Sequence, residues 1–179
     1  MTRDGALLLQ ARSDFAVYQH LASLDRSAMP ECHALHYFQM CSEKVSKAAF
    51  GALGLVTDPF SHVAFSQIPY HMARRDAARA LGYKSFHAYR AFLGRAAPLF
   101  RRVDELNPAV GLQMPAGAAK DGPNVEYPWQ ARDISGQATW IVPAGHGFEL
   151  LSQMKRGGDA ARMVDFVKRL LERFDAVFR

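Results

Sequence analysis

The sequence predicts an all-α fold, a helical bundle broken once, late in the chain, by an irregular excursion. Three observations predict it. Apolar residues recur at alternating spacings of three and four along most of the chain. Helix starts and stops, among them Pro30, Gly82, Ser85 and Asn107-Pro108, stand between those runs. Glycine, proline and aromatic residues crowd a single stretch, about 109–158, where the helical period is lost. The chain has 179 residues, enough for one domain with a real core, and we read residues 1–179 as a single helical domain of four to six helices.

The first helix is expected over about Gly5–Leu24. Leu8, Ala11, Phe15, Tyr18 and Ala22 form its stripe, widened by Leu7, Val17 and Leu21. Residues 25–30 turn the chain, and Pro30 suits a helix entry, where a missing N–H is no loss. The second helix, Glu31–Leu53, is expected to be central. Ala34, Phe38, Cys41, Val45, Ala48 and Ala52 make one apolar stripe, narrow enough at Ala48 and Ala52 for another helix to approach closely. His33, His36, Met40, Lys44 and Lys47 line an adjacent face. Glu43 precedes Lys47 by four residues, the favourable order for a helical ion pair worth a few tenths of a kcal/mol. Cys32 and Cys41 fall on opposite sides of this helix, so a disulfide between them is not feasible and two reduced thiols are expected.

Thr57-Asp58-Pro59 reads as a helix start. A short apolar segment, Phe60–Ile68, carries His62 and is ended or kinked by Pro69. The next segment, Tyr70–Leu81, sets Tyr70, Ala73, Ala77 and Leu81 on one side and Arg74, Arg75 and Arg79 on others. Gly82 closes it. Ser85 can cap a helix over Phe86–Leu106 whose stripe is Phe86, Tyr89, Leu93, Ala96, Phe100 and Val103. Pro98 crowds the carbonyl of Gly94, so a kink is expected there. Within the excursion, extended pieces are expected near Asn124–Trp129 and Ala138–Val142. Tyr127, Trp129, Trp140 and Phe148 should pack it onto the body. Gly157-Gly158-Asp159 opens a last helix to about Phe178, with Asp159 as its cap.

No run approaches the ~18–20 apolar residues of a membrane span. The N-terminus carries Asp4 and only a short apolar run, so it does not read as a secretory signal. A cytoplasmic protein with no membrane partner is expected. There is no Walker loop, dinucleotide fingerprint, nucleophile elbow or zinc pattern, and no cofactor is expected. His33 and His36 could face one ligand, but no third ligand comes at a diagnostic spacing, so no metal is expected. The formal net charge of +5 permits a nucleic-acid or phosphate partner. Arg74, Arg75, Arg79, Lys84, Arg90, Arg95, Arg101 and Arg102 crowd the middle of the chain, with few acids among them. His62 and His71 flank Pro69 beside these arginines. They would compose a phosphate pocket with a histidine to move a proton, or else a solvated basic face. Glu126, Tyr127 and Trp129 could form an aromatic platform that stacks a ring. The plain alternative is a structural plug.

The stretch HALHYFQMCSEKVSKAAF resembles the second helix of HEPN domains, the higher-eukaryote and prokaryote nucleotide-binding bundles. Gln39, Glu43, Lys44 and Lys47 match that family's Gln, Glu-Lys and further Lys. Ser61-His62 resembles the Thr/Ser-His pair that often opens its next helix. SHVAF, LGYKSFHAYRAFL, APLFRRVDELNPA and GPNVEYPW resemble a bacterial subgroup of HEPN-like proteins. The resemblance implies a homodimer that binds nucleotide or RNA in a prokaryotic stress or defence system. Any enzyme activity would be that of a metal-independent ribonuclease. The family's catalytic signature is Arg, four to six residues, then His. Arg79 and His87 lie in a suitable part of the chain but are separated by seven residues, and Arg26 and His33 have six between them but stand at the entry to the second helix. That departure puts the nuclease activity in question. His62, His71, Arg79 and His87 are the catalytic candidates. Arg74, Arg75, Arg79 and Arg90 are the phosphate or nucleic-acid contacts. Two other functions fit the sequence. One is a non-catalytic dimeric protein-interaction module. The other is a DNA reader, because AARALGYKSFHAYRAFLGR resembles the second helix–turn–helix half of arabinose-regulator-type transcription factors.

Overall fold

The computed structural model describes residues 2–25, 27–55, 63–106, 125–126, 128–132 and 135–178, with the backbone alone at 130–132. The fold is all-α apart from one short hairpin. Among the described residues there are eight α-helices and one two-stranded sheet: α1 (Arg3–Ser23), α2 (Glu31–Ala52), α3 (Ile68–Met72), α4 (Arg75–Ala80), α5 (Phe86–Asp104), β1 (Trp129–Arg132), β2 (Ala138–Ile141), α6 (Glu149–Arg156), α7 (Gly158–Glu172) and α8 (Phe174–Phe178). None of these helices is long and apolar enough to cross a membrane.

Helix α1 starts where Thr2 Oγ1 accepts from Gly5 N–H at 3.2 Å. It runs antiparallel to α2: Asp4 lies against Gly51, Asp14 against Lys44 and Tyr18 against Phe38. The expected centrality of α2 is observed. Its apolar stripe is buried from Ala34 to Ala48, and so are Cys32, Leu35, Ala49 and Phe50 on other sides. Both cysteines are buried and free. The Phe38 ring meets Tyr18 at 4.8 Å and Phe65 at 6.3 Å. Phe65 in turn packs on Phe100 of α5 at 4.4 Å, and Phe100 on Phe166 of α7 at 5.8 Å. One aromatic chain therefore runs from α1 through α2 and α5 to α7.

Several local expectations are corrected. Tyr70–Leu81 is not one helix. It breaks at Ala73, where ψ is 50°, and at Arg74, which is extended, giving α3 and α4. Pro69 does not end a helix. It sits in the first turn of α3, where its missing N–H needs no partner. Helix α6 lies inside the stretch expected to be irregular, because Leu150, Leu151 and Met154 give it a short buried stripe between Gly147 and Gly157. The last helix divides at Arg173 into α7 and α8. Asp159 is not its cap but lies in the first turn, paired to Arg95. The second expected extended piece is β2, but the first is displaced: β1 shares only Trp129 with the expected Asn124–Trp129, and the two strands pair antiparallel with Trp129 opposite Ile141 and Arg132 opposite Ala138. Trp140, expected to pack inward, is 65% exposed. The expected helix start at Thr57-Asp58-Pro59, residues 60–62 of the Phe60–Ile68 segment and the Asn107-Pro108 stop lie outside the described residues.

Truncating the ring at the centre of the aromatic chain tests this packing. Phe38→Ala should destabilise the protein by about 3–5 kcal/mol. Urea unfolding should show a lower midpoint with an unchanged slope.

Candidate functional site

The basic residues reach the surface through a helical hairpin. Ala77 and Ala78 bury the inner side of α4, so its arginines point outward. The Gly82 N–H donates to Arg79 O and the Tyr83 N–H to Ala78 O, both at 2.9 Å, which closes the helix with Gly82 at φ +79°. Arg169 of α7 donates to Leu81 O at 3.2 Å, and Arg173 donates to Ala80 O at 3.3 Å. These cations occupy the negative end of α4 and fix it to the body. Ser85 Oγ then accepts from Ala88 N–H at 3.2 Å and starts α5.

The predicted arginines divide into two groups. Arg74 is structural: it bonds Asp76 at 2.7 Å and Val177 O at 3.2 Å, and lies 5.8 Å from the Phe178 ring centroid. Arg75, Arg79 and Arg90 are exposed. The Arg75 guanidinium sits 5.1 Å from the ring centroid of Phe86. Arg79 follows Arg75 by one turn of α4, and Arg90 follows Phe86 by one turn of α5, so this cation–π contact joins two basic faces. Nearby acids are committed elsewhere: Asp76 to Arg74, Asp165 to Arg169, and Asp159 to Arg95 and Arg162. Among the described residues no carboxylate is paired with Arg75, Arg79, Lys84 or Arg90.

Of the candidate histidines, His71 and His87 lie among the described residues. His71 is half-buried and meets Phe50 edge-on at 5.0 Å. His87 is exposed on the first turn of α5. His62 and Arg26 lie outside the described residues, as does Tyr127. The expected platform of Glu126, Tyr127 and Trp129 is corrected at two of its members. Trp129 is 7% exposed and packs on His146 and Phe148. Glu126 lies 2.8 Å from His36 Nδ1. With Glu31, which accepts from Phe148 N–H at 2.8 Å, these contacts fasten the excursion to α2. His33 is exposed. Among the described residues no three His, Cys, Asp or Glu side chains group as a metal site. A groove of about 360 Å³ lies between α1 and α7, lined by Arg12, Phe15, Gln19, Lys168, Leu171 and Glu172. It includes none of the candidate catalytic or binding residues read from the sequence.

A second cluster was not legible as such. Glu43 and Lys47, read as a simple helical ion pair, are buried, with Lys47 only 5% exposed. Gln39 donates to Glu43 Oε2 at 3.2 Å and Lys47 to Glu43 Oε1 at 2.7 Å. Asp104, at the end of α5, is 2% exposed. Its Oδ2 accepts from Ser66 N–H at 2.8 Å, while Oδ1 has no hydrogen-bond partner. Burial first, and then the negative charge of Glu43, push the Asp104 carboxyl up to about 7, although hydrogen bonds from Ser66 and Phe65 oppose the rise. This cluster is withdrawn from solvent, whereas Arg75, Arg79 and Arg90 of the hairpin are exposed.

The Asp104 shift predicts a pH dependence. The folded-state value, about 7, lies above the usual 3.8, so the folded protein holds the extra proton. That contribution is complete below about pH 4 and is lost as pH rises to about 7, with a slope near 1.4 kcal/mol per pH unit between them. Urea unfolding from pH 4.5 to 7.5 should show this fall in wild type, and Asp104→Asn should flatten it. Equal slopes in both proteins would refute the assignment.

Comparison with known proteins gives no match: no family model, no curated protein and no solved structure is similar enough to place the chain in a family.

Proposed function

We propose that the protein binds RNA or nucleotides through the α4–α5 hairpin. The observation that carries this reading is the Arg75–Phe86 contact, flanked by Arg79, Lys84 and Arg90 with no carboxylate among the described residues paired to them. Guanidinium groups hold phosphate oxygens with two parallel hydrogen bonds, and a guanidinium already stacked on a ring is preorganised for the task. The chain's excess of positive charge would draw a polyanion to this face. The HEPN-like resemblance of α2 agrees with such a ligand, with homodimerisation and with a role in prokaryotic stress or defence. Binding is the core of the proposal. Cleavage would require a histidine beside the arginines, and His71 is turned onto Phe50.

Fluorescence anisotropy with a labelled RNA 12-mer tests this. Affinity should fall steeply with salt, with the slope of log K against log salt reporting the phosphates engaged. Arg79→Ala and Arg90→Ala should each weaken binding and reduce that slope by about 0.7 for a single strand. No binding at low salt would leave the arginines as a solvated face. A salt-insensitive protein partner would then favour an interaction module.

A further inference from the structure

We infer that Arg169 and Arg173 form a phosphate seat at the turn of the α4–α5 hairpin, around Gly82. The seat adds one defined position to the basic face. It rests on the hairpin reading for the phosphate to belong to RNA or a nucleotide.

The two guanidinium groups converge on one point. Arg169 lies in the last turn of α7, and Arg173 follows it by four residues at the C-cap, so both side chains leave the same face. Each reaches across to the hairpin, Arg169 to Leu81 O at 3.2 Å and Arg173 to Ala80 O at 3.3 Å. They meet where the hairpin has no side chain. Around the point that a Cβ on Gly82 would occupy, the nearest atoms are Arg173 Nη1 at 3.0 Å, Arg173 Cζ at 3.4 Å and Arg169 Nη1 at 3.6 Å. Gly82 is exposed, and its φ of +79° favours glycine, which keeps the approach over this residue open. An oxyanion arriving over Gly82 meets both guanidinium groups.

Closing α4 does not exhaust these donors. A guanidinium carries five N–H groups in a rigid fork. Arg169 gives Nε to Asp165 at 2.6 Å and Nη1 to Leu81 O, and it lies 5.2 Å from the Tyr83 ring centroid. It is therefore held in place before any ligand arrives. Arg173 is exposed and, among the described residues, bonds Ala80 O alone and has no carboxylate partner. Glu172 beside it faces Lys168 at 3.9 Å. Two cations are thus held together with one carboxylate, Asp165, for the pair. A shared anion relieves their repulsion, and phosphate suits the forks, because its oxygens accept parallel N–H bonds. The seat adjoins the basic face along the chain: Gly82 N–H donates to Arg79 O at 2.9 Å, and exposed Lys84 follows two residues on.

The test uses the full chain, with inorganic pyrophosphate in calorimetric titrations and a labelled RNA 12-mer in anisotropy titrations at two salt concentrations. Wild type should bind pyrophosphate, and Arg173→Ala should weaken that binding about tenfold, the loss expected for a charge-assisted contact. Lys155→Ala removes the same charge from exposed α6 and should bind as wild type. With RNA, Arg173→Ala should lower the slope of log K against log salt by about 0.7. Arg173→Lys keeps a charge and a donor for Ala80 O, so it should recover most of both effects. It decides the matter if Arg173→Ala melts below wild type: recovery supports the seat, and no recovery marks Arg173 as structural and overturns it. Equal pyrophosphate affinity in wild type and Arg173→Ala, or an equal loss in Lys155→Ala, would also overturn it. RNA binding that depends on Arg79 but not on Arg173 would overturn the seat while leaving the hairpin reading standing. Pyrophosphate binding through Arg173 with no RNA binding would support the seat, assign it a free phosphate compound and overturn the RNA reading. No binding by either probe would overturn both.

Discussion

The structure depends on the burial of α2. A helix enclosed by neighbours must still dispose of its polar positions, and α2 does so internally. Ser42 Oγ donates to Phe38 O and Ser46 Oγ to Ser42 O, each one turn back. Glu43 receives Gln39 on one oxygen and Lys47 on the other. Lys44 reaches Asp14 of α1 at 2.7 Å. An unmatched charge in this setting would be strongly destabilising, whereas a matched one contributes little net stability. The ladder therefore lets α2 be covered on several sides. Helix α1, the Phe65 turn with α5, and the excursion all pack against it.

That central helix fixes what is left at the surface. Phe50 near its C-terminal end holds His71, and Tyr89 of α5 holds Met72, so α3 is pinned from two directions. Arg169 and Arg173 close the end of α4 from the far side of the bundle. Arg74 is spent on Asp76 and the last helix. Rigid attachment of the hairpin leaves Arg75, Arg79 and Arg90 facing outward. Some of the chain's many cations thus build the fold, and the remainder give the hairpin its charge.

The long helices were legible because burial imposes a period. The stripes of α1, α2 and α5 are buried almost as read, and Ser85 caps α5 as its position suggested. The short elements were less so. A six-residue α4 gives too few turns to show a period, and a single torsion at Ala73 separates it from α3. Tyr70, read on one side with Ala73, Ala77 and Leu81, is exposed. Helix α6 was masked by the glycines around it. In the site, the cluster of arginines could be read, but not their division, because the partners of Arg74 lie a hundred residues away at Val177 and Phe178. Asp104 gave no local signal at all. Its environment comes from Ser66 and Glu43, which only the tertiary fold brings near.

On the proposed reading the labour is divided: α2 is the fixed axis, and the basic α4–α5 face would meet the ligand. Hydrogen exchange with and without a single-stranded RNA 12-mer tests it most directly. Amides of Glu31–Ala52 should exchange slowest in both states, since buried core helices open only with global unfolding. Added protection on binding should be confined to residues 75–90 and 169–173. Protection appearing instead along the groove of Arg12, Phe15 and Lys168, or fast exchange in α2, would contradict the account.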